Sequence, residues 1–392
     1  MRSITTEGLE YAMYGACFLA SGGGGGLCLG KQLLGEIGRN LEKQGARKIP
    51  VAALSDLKDL DRSKMISVTA GIGSPDAGER GIETSQFVNA YAVMRDYLAQ
   101  KEGCELDYIM PVELGAANSL VPFLIASAFE NGKVTVLDSD SAGRAVPELE
   151  MTLLNAAGIR ISPVMLAARS QPGADKFNYS CIQDDVAVQA EQAARELIGS
   201  SMFNEMAGIS CYPAACPDIG QEHVNSGSLW TAEDVGRLFE NIKLGDRDLN
   251  EFVKFLRNLG LEAYNLCAGE LVDKREKSGG FDIGDVTIRD DDGHECWIYF
   301  KNENLLAWDV QKEEPLAMGP DSICYLNLDS GLPFSNAEIM SEVMPGANIG
   351  VIGIKALPGM RNPKFVNLFM EDIHDFQPIL KYIPIEELQR TI

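Results

Sequence analysis

Residues 18–33 read FLASGGGGGLCLGKQL, and how this stretch is placed decides the architecture around it. Five consecutive glycines occupy 22–26, and Gly25-x-x-x-x-Gly30-Lys31 has the spacing of a phosphate-binding P-loop. That reading fails on two counts. The Ser/Thr that would hold magnesium is Gln32, and no buried strand precedes the glycines. Instead Leu9, Met13, Cys17 and Ala20 recur at helical spacing over 6–20, and a second helix follows over about 31–43. The glycines therefore join helix to helix. They form a tight loop without Cβ atoms, whose N–H groups at Gly23, Gly24 and Gly25 are suited to cradle an anion or oxyanion rather than a nucleotide.

Downstream, short apolar strands alternate with helices. KMISVTAGIG (64–73), LDYIMPVELG (106–115) and KVTVLDSD (133–140) read as strands, with helices over 84–98, 120–130 and 147–157 between and after them. This order predicts a layered α/β N-terminal domain with a mostly parallel or mixed sheet. The middle is helical over 185–197, 231–239 and 248–259. DVTIR, CWIYF, SICYLNL and NIGVIGIKA, parted by Asp-Gly and Asp-Ser-Gly turns, then predict a β-rich C-terminal domain. The division falls within 165–180, giving an α/β domain over 1–170 and a helical segment plus β-rich domain over 171–392.

At 392 residues the chain accommodates two cores, and 45% hydrophobic with 23% charged residues is a globular balance. Apolar runs such as LVPFLIASAF (120–129) are too short for a membrane span. Glu7 and Glu10 stand where an export signal carries positive charge, so a cytoplasmic protein is expected. Nine cysteines, an odd number scattered along the chain, predict free thiols rather than a disulfide framework. A net charge of −23 without a basic cluster argues against nucleic acid or an anionic membrane as partner.

In the first three strands polar or glycine residues follow the apolar run. Ligands in open α/β sheets bind outside the carboxyl ends of strands. Glu79, Glu113, Asn118, Asp138, Asp140 and Arg144 are thereby expected at one rim. Carboxylates there can divide proton donation and acceptance, while Asn118 and Arg144 can stabilise a developing anion. Asp138 and Asp140, helped by Glu113, could hold a hard or borderline cation, although carboxylates alone make a poor zinc site. The three histidines, His223, His294 and His374, fall in no zinc motif, and Cys211 and Cys216 read as structural.

Taken in order, LASGGGGG, GIGSPDAGER, VELGAANSLVP, DSDSAGRAVPELEM, KSGGFDIGDV, FKNENLLA, GPDSI and EDIHDFQPI resemble the S-methyl thiohydantoin desulfurase and hydantoin-utilisation family over nearly the whole chain. The resemblance implies a two-domain enzyme acting at C2 of a five-membered cyclic ureide or thioureide and releasing sulfur, with a divalent metal such as zinc as a conceivable cofactor. Its alternative is a non-catalytic ureide-binding or accessory subunit. A cyclic ureide is the expected small-molecule partner, and a homo-oligomer the expected assembly. For hydrolytic desulfurisation Glu113 or Asp138 suits a general base, while Asp140 and Arg144 complete the catalytic set. Gly23, Gly24, Gly25, Asn118 and Glu79 would meet substrate. Asn302, Glu303 and Asn304 could reach the same site from the second domain, offering donors and acceptors to a ureide ring.

Overall fold

In the computed structural model the described residues are 1–73, 83–130, 132–170, 176–203, 206–242, 245, 247–279 and 281–390. The N-terminal half forms β1 (Arg2–Thr5), α1 (Thr6–Leu19), α2 (Leu27–Lys43), β2 (Lys48–Ala52), β3 (Lys64–Gly73), α3 (Ser85–Lys101), β4 (Glu105–Pro111), α4 (Val121–Ala128), β5 (Thr135–Leu137) and β6 (Ser139–Asp140). Then come β7 (Val164–Arg169), β8 (Phe177–Ile182), α5 (Ala187–Ile198), β9 (Met206–Ala215), β10 (Asn225–Ser226), α6 (Ser228–Leu238) and α7 (Asn250–Asn258).

The first sheet has the order β1-β2-β5-β4-β3-β9-β7-β8. Strands β2, β5, β4 and β3 run parallel, β1 pairs antiparallel with β2, and β9, β7 and β8 follow β3 with each successive pairing antiparallel, so the sheet is mixed. The middle of β3 is buried without alternation, as a strand covered on both faces requires. Strands β8 and β9 come from beyond residue 170 yet complete this first sheet, because β9 pairs directly with β3.

The second sheet consists of β11 (Ala263–Gly279), β12 (Phe281–Arg289), β13 (Glu295–Lys301), β14 (Glu303–Asp309), β15 (Glu314–Met318), β16 (Ser322–Asn327), β17 (Leu332–Pro333) and β18 (Asn348–Ile354). Its order is β15-β14-β13-β12-β11-β18-β16-β17, and every pairing is antiparallel. Helices α8 (Asn336–Ser341) and α9 (Pro363–His374) lie within and after it. The chain is thus α/β in its first part and β-rich in its second.

Helix α1 joins the two halves. Ala16, Phe18 and Leu19 share a core with Val235 of α6 and with Cys324, Leu326 and Ile352 of the second sheet. Its backbone touches that of α6 through paired glycines. A Cβ on Gly15 would sit 1.8 Å from the Ala232 carbonyl oxygen, and one on Gly236 would sit 1.9 Å from that of Tyr11.

Three expectations differ from the observed elements. The strand foreseen over 133–140 is split into β5, which joins the first sheet, and β6, which pairs antiparallel with β10 in a separate two-stranded sheet. The helix foreseen over 147–157 is a 3-10 turn, Leu149–Met151, followed by one helical turn, Leu153–Ala156. Thr152 separates them in extended conformation and caps the second with its hydroxyl, which accepts the Asn155 N–H at 3.3 Å. The strand foreseen over 106–115 ends at Pro111, freeing the following residues for a loop. Among the described residues no helix is long and apolar enough to cross a membrane.

Candidate active site

The glycine loop connects α1 to α2, and close approach from both domains explains its composition. Gly24 has φ +70°, and a Cβ there would stand 2.5 Å from both the Gly115 Cα and the Leu114 carbonyl oxygen. Its own carbonyl accepts the Asn118 N–H at 3.1 Å. From the second domain, Glu303 packs so tightly that a Cβ on Gly23 would lie 2.2 Å from its Oε1. The Ser21 and Gly22 carbonyls accept the N–H groups of Asn304 (2.7 Å) and Asn336 (2.8 Å). Glu338 closes the other end of the loop. Its Oε1 accepts the Leu27 N–H at 2.6 Å, and its Oε2 accepts both the N–H and the hydroxyl of Ser335, at 2.8 and 2.6 Å. A protein carboxylate therefore already occupies the N-terminus of α2, the position most favourable to an external anion.

Beside this loop opens a cavity of about 700 Å³ between the domains, walled by residues 22–26, the end of β3, the loop after β4 and the starts of β14 and α8. Glu113, Asn118, Asn302 and Glu303 line it together with Gly23, Gly24 and Gly25. Glu113 Oε1 accepts the Asn118 Nδ2–H at 2.8 Å and Oε2 accepts the Val146 N–H at 2.8 Å. Asn118 is held in turn by the Gly71 N–H, donated to its Oδ1 at 3.1 Å. Burial pushes the Glu113 carboxyl up to about 7 against these two hydrogen bonds, with the Asp140 charge adding to the rise. Glu303, 5% exposed, is raised well above the usual range by burial and then by the charge of Glu113. Among the described residues its buried Oε2 has no hydrogen-bond partner. Two carboxyl groups, one from each domain, thus sense each other in one cavity and cannot both ionise cheaply. Asn302, at φ +57°, aligns this end of the wall. It exchanges hydrogen bonds with the backbone of Asp282 at 2.7 and 2.9 Å, and its carbonyl accepts the Asn336 Nδ2–H at 2.8 Å.

The raised carboxyls make stability pH-dependent. Their folded pKa values exceed the unfolded one, so the native state binds more protons. The associated stability is fully present below about pH 4.3 and is lost as pH rises through about 7. Melting temperature is expected to fall between pH 5.5 and 8.5, and Glu303→Gln is expected to flatten that decline. An equal slope in the variant would remove Glu303 from the account.

Asp138, Asp140 and Arg144, expected at the same rim, are not among the described residues lining the cavity. The Asp138 carboxylate caps α6 instead, its Oδ1 accepting the Leu229 and Trp230 N–H groups at 3.1 and 3.3 Å. Asp140 organises its own turn through the Ala142 and Gly143 N–H groups (2.9 and 2.5 Å) and the Asn225 side chain (3.0 Å). Arg144 is fully buried and spends its guanidinium on backbone carbonyls. It donates to Ala145 (2.9 Å), Pro320 (3.3 Å), Asp321 (2.9 Å) and Asn304 (2.8 Å), tying the first domain to the second. All three residues follow β5, and polar character at a strand end does not separate a cap from a catalytic group. Glu79 lies outside the described residues.

Replacing Asp138 discriminates the two roles. Asp138→Asn preserves a capping oxygen and is expected to change stability by less than about 0.5 kcal/mol, whereas Asp138→Ala costs about 1–2 kcal/mol in urea unfolding. Both are expected to retain turnover.

A zinc ion does not fit this donor set. The described lining residues include no histidine, and Cys28 is their thiol. The described residues whose ligand atoms gather within 4.8 Å are Asp290, Asp292 and His294, in the turn between β12 and β13, rather than Glu113, Asp138 and Asp140. All nine cysteines are free. Asn336 and Glu338 escaped the sequence reading, although Ser335-Asn-Ala-Glu338 carries the spacing of a capping box and could have marked α8.

Fold and cavity define a two-domain protein in which an α/β half and an antiparallel β half share a carboxylate-lined site at a glycine loop. The chain belongs to the S-Me-THD-like family: residues 7–172 match its N-terminal domain and residues 183–384 its C-terminal domain. A crystal structure of a protein from Chromobacterium violaceum has a similar fold, with a TM-score of 0.80 at 24% identity over 98% of this chain and 100% of that one. No curated protein matches the chain.

Proposed function

We propose that this protein is an enzyme acting on a hydantoin- or thiohydantoin-like ring, by hydrolytic desulfurisation at C2. The observation that carries the reading is the pair Glu113 and Glu303, contributed by different domains to one cavity and both raised by burial, with the charge of Glu113 raising Glu303 further. Two coupled carboxyls that resist ionising together suit one to accept a proton while the other donates one. The family's name is consistent with the chemistry.

In this reading water attacks C2 of an S-methyl thiohydantoin while the Glu113 carboxylate takes one of its protons and the C2=N electron pair moves onto the ring nitrogen. Collapse of the tetrahedral intermediate forms the C2 carbonyl and breaks the C–S bond, and the remaining hydroxyl proton passes to the ring nitrogen. The protonated Glu303 delivers its proton to the departing sulfur, so methanethiol and hydantoin leave. Proton transfer from Glu113 to Glu303 then restores the starting state. Asn118 keeps Glu113 oriented through its 2.8 Å hydrogen bond. The glycine loop supplies close, Cβ-free backbone to the ring.

The test is incubation of the protein with S-methyl thiohydantoin, trapping methanethiol with a thiol reagent and identifying hydantoin by mass spectrometry. Stoichiometric release of both supports the reading. Binding without release would shift it to a ureide-binding subunit, and neither binding nor release would end it.

A further inference from the structure

Arg144 is not among the described residues lining the cavity, yet its donors reach the main chain beside both members of the carboxyl pair. Its Nη2 donates at 2.8 Å to the carbonyl of Asn304, the residue after Glu303. Its Nε donates to the Ala145 carbonyl at 2.9 Å, and the next N–H along the chain, that of Val146, holds Glu113 Oε2 at 2.8 Å. Nη1 fixes the Pro320 and Asp321 carbonyls at 3.3 and 2.9 Å, and the guanidinium lies over the Phe369 ring of α9, 5.2 Å from its centroid. One fully buried side chain therefore sets both the main chain that carries Glu303 and the main chain that holds Glu113.

The charge of Arg144 has to be balanced as well. Its four acceptors are all main-chain carbonyls, dipoles without net charge, and a buried cation left uncompensated is costly. Burial opposes the guanidinium charge, while Glu303, Cys324, Asp321 and Glu113, in that order, favour it. Two of these four are otherwise engaged. Burial pushes the Cys324 thiol up to about 12, which leaves it neutral. Asp321 pairs with Arg361 at 2.5 Å and accepts the Tyr382 hydroxyl and the Ala356 and Ile385 N–H groups. Glu303 and Glu113 remain, both raised by burial, with the charge of Glu113 raising Glu303 further. Of the other charges they sense, Arg195 favours the Glu303 carboxylate but is paired with Glu191 at 2.6 Å, and Asp140 opposes that of Glu113.

We infer that Arg144 is the positioning residue of the carboxyl pair: from the seam between the domains it fixes the main chain beside both acids, and its charge keeps one of the two ionised. Without that cation, burial leaves both acids protonated near neutral pH, and neither accepts a proton from water. The balance of charge is independent of the ring chemistry, and only its catalytic consequence rests on the ureide reading above.

The test therefore reads protonation without substrate. Infrared difference spectra of the full-length protein across pH, with Glu113→Gln and Glu303→Gln as blanks, give the midpoint at which the pair first ionises. A nearby opposite charge moves a carboxyl by about 1–3 pH units, so Arg144→Met is expected to raise that midpoint by at least about one pH unit. Arg144→Lys, which keeps the charge, is expected to stay within about half a pH unit of wild type. An unmoved midpoint in folded Arg144→Met, or an equal rise in both variants, overturns the inference. Where neither variant folds, the wild-type protein decides. In nitrogen-15 arginine spectra the Nε resonance of Arg144, buried and slow to exchange, is expected to shift with the carboxyl midpoint, and a resonance flat through that range overturns the inference. Turnover separates the two proposals. The acid limb of kcat/KM is expected to move alkaline in Arg144→Met alone, because Glu113 has to be ionised to act as base. Midpoints that respond as expected in a protein without turnover or ureide binding would uphold the placement of the charge and overturn the ureide reading.

Discussion

Glu303→Gln is expected to lower turnover of an S-methyl thiohydantoin by about 10²–10⁴-fold while raising, not lowering, the stability of the protein above pH 7. The two effects have one cause. Glu303 is buried in the same cavity as Glu113, and among the described residues its Oε2 has no hydrogen-bond partner, so replacing a carboxyl by an amide of the same shape forfeits no described partner of that atom. It does remove an acid that repels Glu113 and resists ionisation. The wild-type pH profile of kcat/KM is expected to fall on the alkaline side as the pair loses its shared proton. In the variant that limb disappears along with most of the rate. Wild-type turnover in Glu303→Gln would exclude it as the proton donor. A loss of rate accompanied by a lowered melting temperature would instead mark a structural role.

The second large effect is on folding. Gly24→Ala is expected to destabilise the protein by more than about 3 kcal/mol. The left-handed conformation costs an alanine roughly 1–2 kcal/mol. Its Cβ would then stand 2.5 Å from backbone atoms of Gly115 and Leu114, which cannot swing aside as a side chain could. Gly38→Ala is the control, since that glycine lies within α2 with nothing within 4 Å of the added carbon. It is expected to stabilise by about 0.5–1 kcal/mol. Urea unfolding of the two variants checks both signs, and comparable effects at the two positions would refute the close-approach account of the loop.

Much of the fold was legible along the chain. The helix-to-helix placement of the glycines followed from apolar spacing before them and from the absence of a preceding strand. Residues 64–73 read as a strand because a short apolar, β-branched run ends there in glycines, and the β-rich second half followed from short apolar runs between Asp-Gly and Asp-Ser-Gly turns. Local signals of this kind depend on neighbours within a few residues, and the sequence carries them in full. Strand β9 shows where they stop. Its residues alone do not say that it crosses back to pair with β3, since that choice is made by contacts more than a hundred residues away.

The site divides in the same way. From sequence, Glu113, Asn118 and Glu303 were marked by polar character after apolar strands, and so were Asp138, Asp140 and Arg144. Nothing local distinguishes these two groups, because a carboxylate that caps a helix and one that lines a cavity have the same covalent chemistry. Tertiary structure separated them. The N-terminus of α6 arrives at Asp138 with two unsatisfied N–H groups, and the backbone carbonyls of the second domain converge on Arg144. Glu303 is instead carried across the domain boundary to within the field of Glu113. The sequence by itself determined which segments would form helices and strands, and that five glycines would make a loop without side chains. Which acids became caps, and which two were left buried in one cavity within each other's field, was decided only by the folded chain, because burial and neighbouring charge are properties that the order of residues does not state.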